Sequence, residues 1–383
     1  MNARVLRVSV ITAIFRWLGV EREQARFRCG NSKTHPEVAF HHLTGSDRMR
    51  ALSNASFVLT MIACWLLPCG NLNLSASENI SSVPVTGQPW TIRLPDKAAL
   101  DMKWIPSGRF VQGSPNDEPG RAADESPQTE VTITNGFWLG TTLVTVAQWK
   151  EIMGFGVREQ FARRIHDDTL YELGGKRQKL RDFMRWSGEA NPTIYLANEG
   201  DDVPMYFVSW NDATDFCKRL TTIERAAGRL PVGYEYSLPT EAQWEYGCRA
   251  GTTGATYAES HSPRSLDKIA WYEKNSADGY VGPGLGPTHS GPREVSQKQP
   301  NAWGLFDMYG NVWQWCHDWY GAYPGGNVTD SAEPKSGTLR VNRGGSFGSG
   351  ANSLRSAARA SNPPAEASAY RGFRIALSLV MSR

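Results

Sequence analysis

The pattern of hydrophobic and polar residues predicts short strands and a few short helices. Residues 102–110, MKWIPSGRF, and residues 130–139, which end in FWL, alternate as strands interrupted by turn residues. Three helices begin at residues whose side chains can accept a hydrogen bond from the first helical turn, namely Thr145, Asn211 and Thr240. No repeat of fixed period accompanies this pattern, so a repeat architecture is not indicated.

The second and third helices carry the clearest signals. In the second helix, apolar residues recur at helical spacing and predict one buried face, formed by Ala213, Phe216, Cys217, Leu220 and Ile223. The third helix has Gln243 in the capping-box position and Gly251 at its end.

The remaining segments predict the domain organisation. Residues 154–200 are polar, carry both charges and are predicted to be an insertion, whereas residues 251–302 contain Gly and Pro throughout and are predicted to be loops. Residues 77–97 lack periodicity and are predicted to be a linker. One domain then occupies residues 98–383.

An apolar run near the N-terminus indicates export. Residues 57–68, FVLTMIACWLLP, are too short for a membrane-spanning helix and resemble the hydrophobic core of a secretory signal. We therefore interpret residues 49–76 as a signal peptide or anchor, and residues 1–48 as a gene-model extension or an N-terminal tail. The expected location is extracytoplasmic, that is periplasmic, secreted or membrane-anchored, with no transmembrane domain in the mature form.

Composition narrows the classes of function. The 383 residues include 41 Lys and Arg against 38 Asp and Glu, and a net charge of +3 does not indicate nucleic acid as a partner. The 14 Trp, 37 Gly and 22 Pro indicate loops packed on aromatic anchors. Six Cys are too few for a disulfide scaffold, and no C-x-x-C pair offers a structural zinc site.

Several ordered blocks resemble a known family. They are SLPTEAQWEYGCRAGT, NAWGLFDMYGNVWQWCHDWY, RVNRGGSF, RSAAR and GFRIA, spread over residues 237–376. These blocks are similar to the signatures of the formylglycine-generating enzymes, also called sulfatase-modifying factors, and the resemblance covers roughly residues 100–380. It implies an α+β, C-type-lectin-like fold in a single domain with little regular secondary structure.

The resemblance also implies a chemistry that this chain lacks the residues to perform. The family oxidises a sulfatase cysteine to formylglycine with two thiolates that bind Cu(I), and both thiolates follow the GGS block within a few residues. Here Ser349 stands at the first position, and no cysteine occurs after Cys316. Copper is therefore disfavoured, because a hydroxyl does not replace a thiolate as a Cu(I) ligand. Whether the chain is an enzyme stays open.

The three cysteines inside the domain are weak substitutes. Cys217 and Cys248 lie on predicted helices, where free cysteine most often serves as a small buried hydrophobic residue. Cys316 precedes His317, and an adjacent Cys-His pair is a weak indication of a redox or metal site.

A calcium site is the second implication of the resemblance. The family binds Ca²⁺ through side-chain and backbone oxygens, and the matching positions in this chain are Asp307, Gly310, Val312 and Gln314. Oxygen ligands of this kind suit calcium. The family carries Glu where this chain has Gln314 and Asn where it has Asp307.

The segment after RGGS is the candidate ligand-binding surface. Small and polar residues there precede two arginines, and the candidate residues are Ser346, Ser349, Asn352, Arg355 and Arg359. Small side chains over a basic floor predict a groove for a peptide or an anion. An equally weighted interpretation places the arginines in buried ion pairs that hold loops together.

Three functions are consistent with these features of the sequence. The first is an exported, diverged or non-catalytic binding module for a protein or peptide ligand. The second is a formylglycine-generating oxidase that uses an unrecognised site, and the third is a diversified ligand-binding protein of the retroelement-variable type.

Overall fold

The described part of the chain begins at residue 83. The computed structural model describes residues 83–94, 98–173, 176–183, 196, 198–258, 260–277, 290–330 and 334–380. All of them belong to one compact unit, Glu78–Arg383. The predictions for residues 1–48 and 49–76 lie outside the described residues. No helix in the described ranges is long and apolar enough to cross a membrane.

The described strands are short and form several small sheets. In chain order they are β1 Trp90–Arg93, β2 Ala99–Ile105, β3 Gly108–Gln112, β4 Thr129–Ile133, β5 Phe137–Gly140, β6 Tyr171–Leu173, β7 Lys176–Gln178, β8 Tyr234–Ser237, β9 Ala270–Trp271, β10 Tyr309–Gly310, β11 Trp313–Trp319, β12 Gly326–Thr329, β13 Arg340–Arg343, β14 Arg359–Asn362, β15 Arg371–Gly372 and β16 Ala376–Leu379. The largest sheet has the order β1-β2-β5-β16-β8, and the others are β14-β13-β11-β15, β12-β4-β3, β10-β9 and β6-β7.

The helices are equally short. They are α1 Val146–Met153, α2 Val157–Ile165, α3 Leu180–Phe183, α4 Trp210–Ala226, α5 Glu241–Arg249 and α6 Pro263–Ile269. Short helices combined with small, separate sheets agree with the expected α+β class.

The helix-start predictions are confirmed at two of three positions. Thr145 and Thr240 cap α1 and α5, each accepting a hydrogen bond from the backbone N–H three residues on, and Gln243 completes the capping box. The prediction of Asn211 as the cap of α4 is wrong. Ser209 is the cap, and its hydroxyl accepts from the N–H of Asp212. The sequence offers both Ser and Asn near this end, and either residue type can cap a helix.

Two further sequence predictions need correction. Ile223 is 38% exposed, so it does not belong to the buried face of α4, whose other predicted members are buried. The predicted linker of residues 77–97 contains β1, because Trp90 and Ile92 alternate inward and pair with β2. A four-residue strand shows too little alternation to be recognised in the sequence alone.

The five-stranded sheet is strongly curled. Its edge strands are β1 and β8, yet the indole N–H of Trp90 on β1 donates to the hydroxyl of Tyr236 on β8 at 3.3 Å. The twist of adjacent strands accumulates across a sheet and here brings its two edges together. Helices α1 and α4 pack against each other through the stacked rings of Trp149 and Phe216, whose centroids are 5.8 Å apart, and both rings belong to the core that contains the inner residues of this sheet.

A second core lies behind α5 and the signature blocks. Trp244 of α5, Tyr309 of β10 and Cys316 of β11 are fully buried in it. The first core contains Trp138, Trp149 and Trp315, so tryptophans occupy the centre of both cores. The composition-based prediction of aromatic anchors under loops is therefore confirmed.

The chain leaves β3 through a glycine that no other residue can replace without strain. Gly113 has a positive φ of 91°, and a Cβ atom at this position would lie 2.4 Å from the backbone oxygen of Glu125. Contacts this short do not occur between real atoms, so a side chain would displace one of the two loops.

We predict that Gly113→Ala lowers the free energy of unfolding by about 3 kcal/mol or more, because conformational strain and a backbone clash act together. The matched control is Gly154→Ala at the end of α1, where φ is 84° and nothing lies within 4 Å. The control variant should lose only about 1 kcal/mol of unfolding free energy, which is the cost of placing a residue with a Cβ atom at positive φ. Urea unfolding monitored by tryptophan fluorescence measures both, and equal losses would contradict the clash.

Candidate functional site

The candidate ligand-binding residues lie on a turn that follows β13. Gly344 has a φ of 96°, and a Cβ there would lie 2.7 Å from the backbone oxygen of Met308. This glycine lets the chain pass against the 301–320 block. Residues 346–352, which we call the serine face, follow at once and lead through a short 3₁₀ turn, Ala351–Ser353, toward β14.

Two serines organise the serine face. The backbone N–H of Ser346 donates to the hydroxyl of Ser349 at 3.0 Å, and the two hydroxyl oxygens are 3.1 Å apart. Ser346 is buried, whereas Ser349 is half-buried and Asn352 is exposed. The described structure pairs these hydroxyls with each other and with backbone groups, not with a histidine or a carboxylate that would activate a nucleophile.

Arg355 is not a surface group. Its side chain is 2% exposed, and its guanidinium forms ion pairs with Glu118 at 2.6 Å and with both oxygens of Glu125. It also donates to the backbone oxygens of Gly120 and Asn352. All of its hydrogen-bonding capacity is directed into the protein.

Arg359 is engaged in the same way. Its Nε and Nη2 donate to the two carboxylate oxygens of Glu241 at 2.7 and 2.8 Å, a bidentate pair. The same guanidinium also donates to the backbone oxygens of Asp124 and Gly321. Of the two interpretations that the sequence left open, the geometry of Arg355 and Arg359 corresponds to buried ion pairs that hold loops.

These pairs belong to a larger buried cluster on α5 and β13. Glu245 accepts hydrogen bonds from Arg249 at 2.8 Å and from Arg343, and Arg343 also lies 3.3 Å from Glu241. Four buried cations and four buried carboxylates balance in the combined set of Arg249, Arg343, Arg355, Arg359, Glu118, Glu125, Glu241 and Glu245.

Two carboxylates of this cluster, those of Glu241 and Glu125, have lowered pKa values. Burial alone would raise the pKa of Glu241, but Arg359 and Arg343 outweigh it and lower the pKa below its ordinary value of 4.5. The pKa of Glu125 is likewise lowered despite burial, because Arg355 and the backbone N–H of Ala122 donate to it. Sequence reasoning missed Glu118 and Glu125, which lie more than 200 residues before their partner and carry no local signal.

Gln314 does not fit the role of a calcium ligand. Its side-chain oxygen accepts from the indole N–H of Trp244 at 2.8 Å and from Nε of Arg374 at 2.6 Å, while its NH₂ group donates to the backbone oxygen of Asp307 at 2.9 Å. Both neighbours of the oxygen can only donate, so its two lone pairs are used. The carboxylate that the family has here would supply a second oxygen, and the amide does not.

The other three candidate calcium ligands are Asp307, Gly310 and Val312. Asp307 is 2% exposed and accepts from the backbone N–H of Ser296 at 2.8 Å, and burial raises the pKa of its carboxyl group. Gly310 and Val312 follow shortly after it in the sequence, and both residues are buried. Within the described ranges, no group of three or more His, Cys, Asp or Glu residues is placed to hold a metal.

Arg374 carries a positive charge into this region, and among the described residues it has no carboxylate within hydrogen-bonding distance. Besides Gln314, it donates to the backbone oxygens of Gly140, Phe306 and Asp307. Burial lowers its pKa to about 10. A cation that already neutralises the field of Asp307 further reduces the attraction of this pocket for Ca²⁺.

The three cysteines of the described domain are buried and form no disulfide bonds. Cys217, Cys248 and Cys316 are at most 2% exposed, and all three are free. Burial raises the pKa of each thiol, that of Cys248 to about 11. His317 does not share a site with Cys316, since its ring packs near Trp210 with centroids 6.3 Å apart while the thiol faces the second core. Thiolate chemistry at neutral pH is thus disfavoured at all three.

A family model described as sulfatase-modifying factor enzyme 1-like domain matches residues 92–379, a range that includes all the signature blocks. The chain belongs to the sulfatase-modifying factor family. This confirms the resemblance seen in the sequence.

Similar proteins include active and inactive members of the sulfatase-modifying factor family. The formylglycine-generating enzyme of Mus musculus is 29% identical over 308 residues, covering 73% of this chain and 75% of its own. The inactive C-alpha-formylglycine-generating enzyme 2 of the same organism is 25% identical and covers 85% of this chain and 95% of its own. Among solved structures, Treponema denticola variable protein 1 superposes with a TM-score of 0.55 at 23% identity, over 77% of this chain and 99% of its own. The predicted C-type-lectin-like fold is confirmed.

We predict that Arg355→Met costs about 3–5 kcal/mol at pH 7, because two buried carboxylates lose their cation. The loss shrinks as pH falls toward 4, since Glu125 loses in the variant the partner that lowers its pKa and can then become protonated. In the parent chain, the lowered pKa values of Glu125 and Glu241 contribute stability above about pH 4.5 that is lost on further acidification.

The control for this prediction is Arg219→Met, which breaks an exposed pair with Asp215 on α4. Exposed pairs contribute about 0.2–1 kcal/mol with little pH dependence in this range. Urea unfolding at pH 7 and pH 4.5 provides the comparison. A loss below about 1 kcal/mol for Arg355→Met at pH 7 would show that Arg355 is not a structural ion-pair partner.

We predict that calcium does not stabilise the protein. A ligand at one hundred times its Kd would raise Tm by about 5 °C or more, whereas exchange of EGTA for millimolar calcium should leave Tm unchanged. Gln314→Glu is the informative variant, because it restores a second oxygen, and a calcium-dependent rise in Tm should then return. A rise in the unmodified chain would refute the argument from Gln314.

Proposed function

We propose that this protein is a diverged, non-catalytic binding module of the sulfatase-modifying factor family that acts outside the cytoplasm and binds a protein or peptide ligand on the serine face. Neither copper nor calcium is part of the proposal. The serine face lies on irregular backbone held by a rigid interior, an arrangement that proteins commonly use for recognition.

The absence of an available thiol carries the proposal. Ser349 stands where the family has its first catalytic cysteine, and the three cysteines of the described domain are buried with raised pKa values. Cu(I) needs soft thiolate ligands that can reach one metal together. The similarity to a relative named as inactive, over 95% of that relative's length, supports loss of the oxidase activity within this fold.

The extracytoplasmic location rests on the N-terminal sequence. Residues 57–68 form an uninterrupted apolar run that precedes a polar, small-residue stretch, as in secretory signals. Mass spectrometry of the native N-terminus tests this point, because cleavage near residue 76 yields a mature chain that lacks the apolar run.

We predict that the purified protein shows neither Cu(I)–thiolate absorbance on titration with Cu(I) nor conversion of a cysteine-containing sulfatase peptide to its aldehyde. Oxygen uptake and peptide mass spectrometry provide the readouts, with the serine version of the peptide as the control substrate. The physical reason is that no pair of exposed thiols exists in the described domain.

Aldehyde formation by the unmodified chain would overturn the proposal and favour an oxidase with an unrecognised site. In that case, Cys217→Ser, Cys248→Ser and Cys316→Ser would identify the thiol responsible. A retroelement-type variable receptor makes the same negative prediction for copper. A reverse-transcriptase gene and a near-copy of the segment that encodes residues 343–376, both beside the gene, would distinguish such a receptor from the proposed binding module.

A further inference from the structure

Exposed aliphatic side chains gather at one end of the five-stranded sheet. Among the described residues, nine large hydrophobic side chains are exposed, and five of them lie at this end. We call these five the valine patch: Val83, Val85, Val232, Leu379 and Val380. Val232 is fully exposed to solvent. Single exposed hydrophobic residues are normal on a protein surface, whereas a group of them marks an interaction site.

Backbone pairing brings the C-terminal members of the patch together. Tyr234 of β8 is paired with Leu379 of β16, and the N–H of Val380 donates to the backbone oxygen of Gly233 at 2.7 Å. Leu379 also lies against Gly233, since a Cβ atom on that glycine would be 3.7 Å from its Cδ2. The turn that carries Val232 is therefore adjacent to the end of β16.

Trp138 connects the N-terminal members to the same end. The N–H of Gln88 donates to the backbone oxygen of Val85 at 3.0 Å and closes a turn, and the backbone oxygen of Gln88 accepts from the indole N–H of Trp138 at 2.8 Å. The ring of Trp138 meets the ring of Tyr234 edge-on, with centroids 5.8 Å apart. The curl of the sheet thus places the turn that begins at Val85 beside the strand that follows Val232.

Charge near the patch is sparse and balanced. Arg225 is exposed and donates to the backbone oxygen of Tyr234 at 3.2 Å, while Glu235, the next residue of β8, is half-buried. Arg229 forms an ion pair with Glu224. One cation, one carboxylate and one neutralised pair leave no excess charge to attract an acidic or basic surface. A partner of this patch is therefore held by apolar contact.

The size and shape of the patch favour a lipid surface over a second protein. Five aliphatic side chains that are about half exposed offer apolar area on the order of 300 Å². Stable protein interfaces bury about 800 Å² on each partner and need close-packed, complementary surfaces. A lipid interface adapts to protruding side chains and accepts valine and leucine at the boundary between headgroups and acyl chains.

The course of the chain favours the same partner. The described chain begins at Val83, and residues 69–82 separate this valine from the apolar run of residues 57–68. When fully extended, residues 69–82 span at most about 50 Å. An apolar run held in a bilayer would therefore keep the valine patch close to the same membrane, at a high effective concentration.

We propose that the valine patch docks this domain onto the apolar boundary of a lipid bilayer, with Val232 as its most deeply inserted side chain. The proposal goes beyond the binding of a ligand on the serine face, with which the patch shares no residue. Because apolar contact holds the patch, docking does not require anionic lipid and persists at high salt.

The test is photolabelling of the full chain on phosphatidylcholine vesicles that contain a lipid with a diazirine in its acyl chain, followed by peptide mass spectrometry. We expect peptides that contain Val232 or Val380 to be labelled about fivefold or more above those that contain Val111 or Leu170, because only the patch contacts acyl chains. Val111 and Leu170 are 47% and 49% exposed, so they control for exposure alone. High salt should leave the ratio unchanged.

A substitution at the tip of the patch sharpens the test. Val232→Ser should lower labelling at Val380 about three- to tenfold, and the variant should fold because Val232 is fully exposed. Val111→Ser is the matched control and should change nothing. Labelling confined to residues 57–68, or equal labelling of the patch and control peptides, would overturn the proposal. Absence of labelling would overturn it as well, and a dimer that Val232→Ser dissociates would then assign the patch to a second copy.

Discussion

The buried ion-pair cluster is the constraint on which the rest of this structure depends. It joins segments that are far apart in the sequence, because α5 supplies Glu241, Glu245 and Arg249 while the loop after β3 supplies Glu118 and Glu125. Each charge has lost its hydration and can exist only beside its partner. The cluster therefore specifies where the early loop, α5 and the segment after β13 meet, more than it adds net stability.

The backbone of Gly113 is hydrogen-bonded to two members of this cluster. Its N–H donates to Glu245 at 3.0 Å and its oxygen accepts from Arg249 at 2.9 Å, while the adjacent Ser114 donates to the backbone oxygen of Glu125. Two adjacent residues thus connect the two halves of the cluster through their backbone. The serine face inherits its rigidity from this interior, since Arg355 also donates to the backbone oxygen of Asn352.

The proposed loss of oxidase activity rests on two substitutions in this chain. Serine at position 349 removes the soft ligand that copper needs, and Gln314 uses its single oxygen for Trp244 and Arg374. Internal donors thus occupy the side-chain oxygen of Gln314 in this arrangement. What remains is a stable platform that presents hydroxyls, a carboxylate and an aromatic ring, which suits recognition.

The sequence by itself determined the family, the α+β class and two of the three helix starts, because capping boxes and signature blocks are local patterns. It also excluded the thiolate pair, since the identity of residue 349 needs no coordinates. It could not detect β1, whose four residues become a strand only by pairing with β2. Local signals were sufficient for the caps of α1 and α5, whose partners lie within one helical turn.

Tertiary structure alone decided the character of the candidate site. Arg355 and Arg359 look like a basic groove in the sequence, but their partners lie more than 100 residues away and turn both guanidinium groups inward. Glu273 and Tyr370 carry no motif, and only folding places Glu273 against Gly350 and Tyr370 against Gly348. A charged side chain is available to a ligand only if folding leaves it without an ion-pair partner. Ion pairs between residues so far apart in the sequence leave no local sequence pattern, so the sequence alone does not show which charges are used.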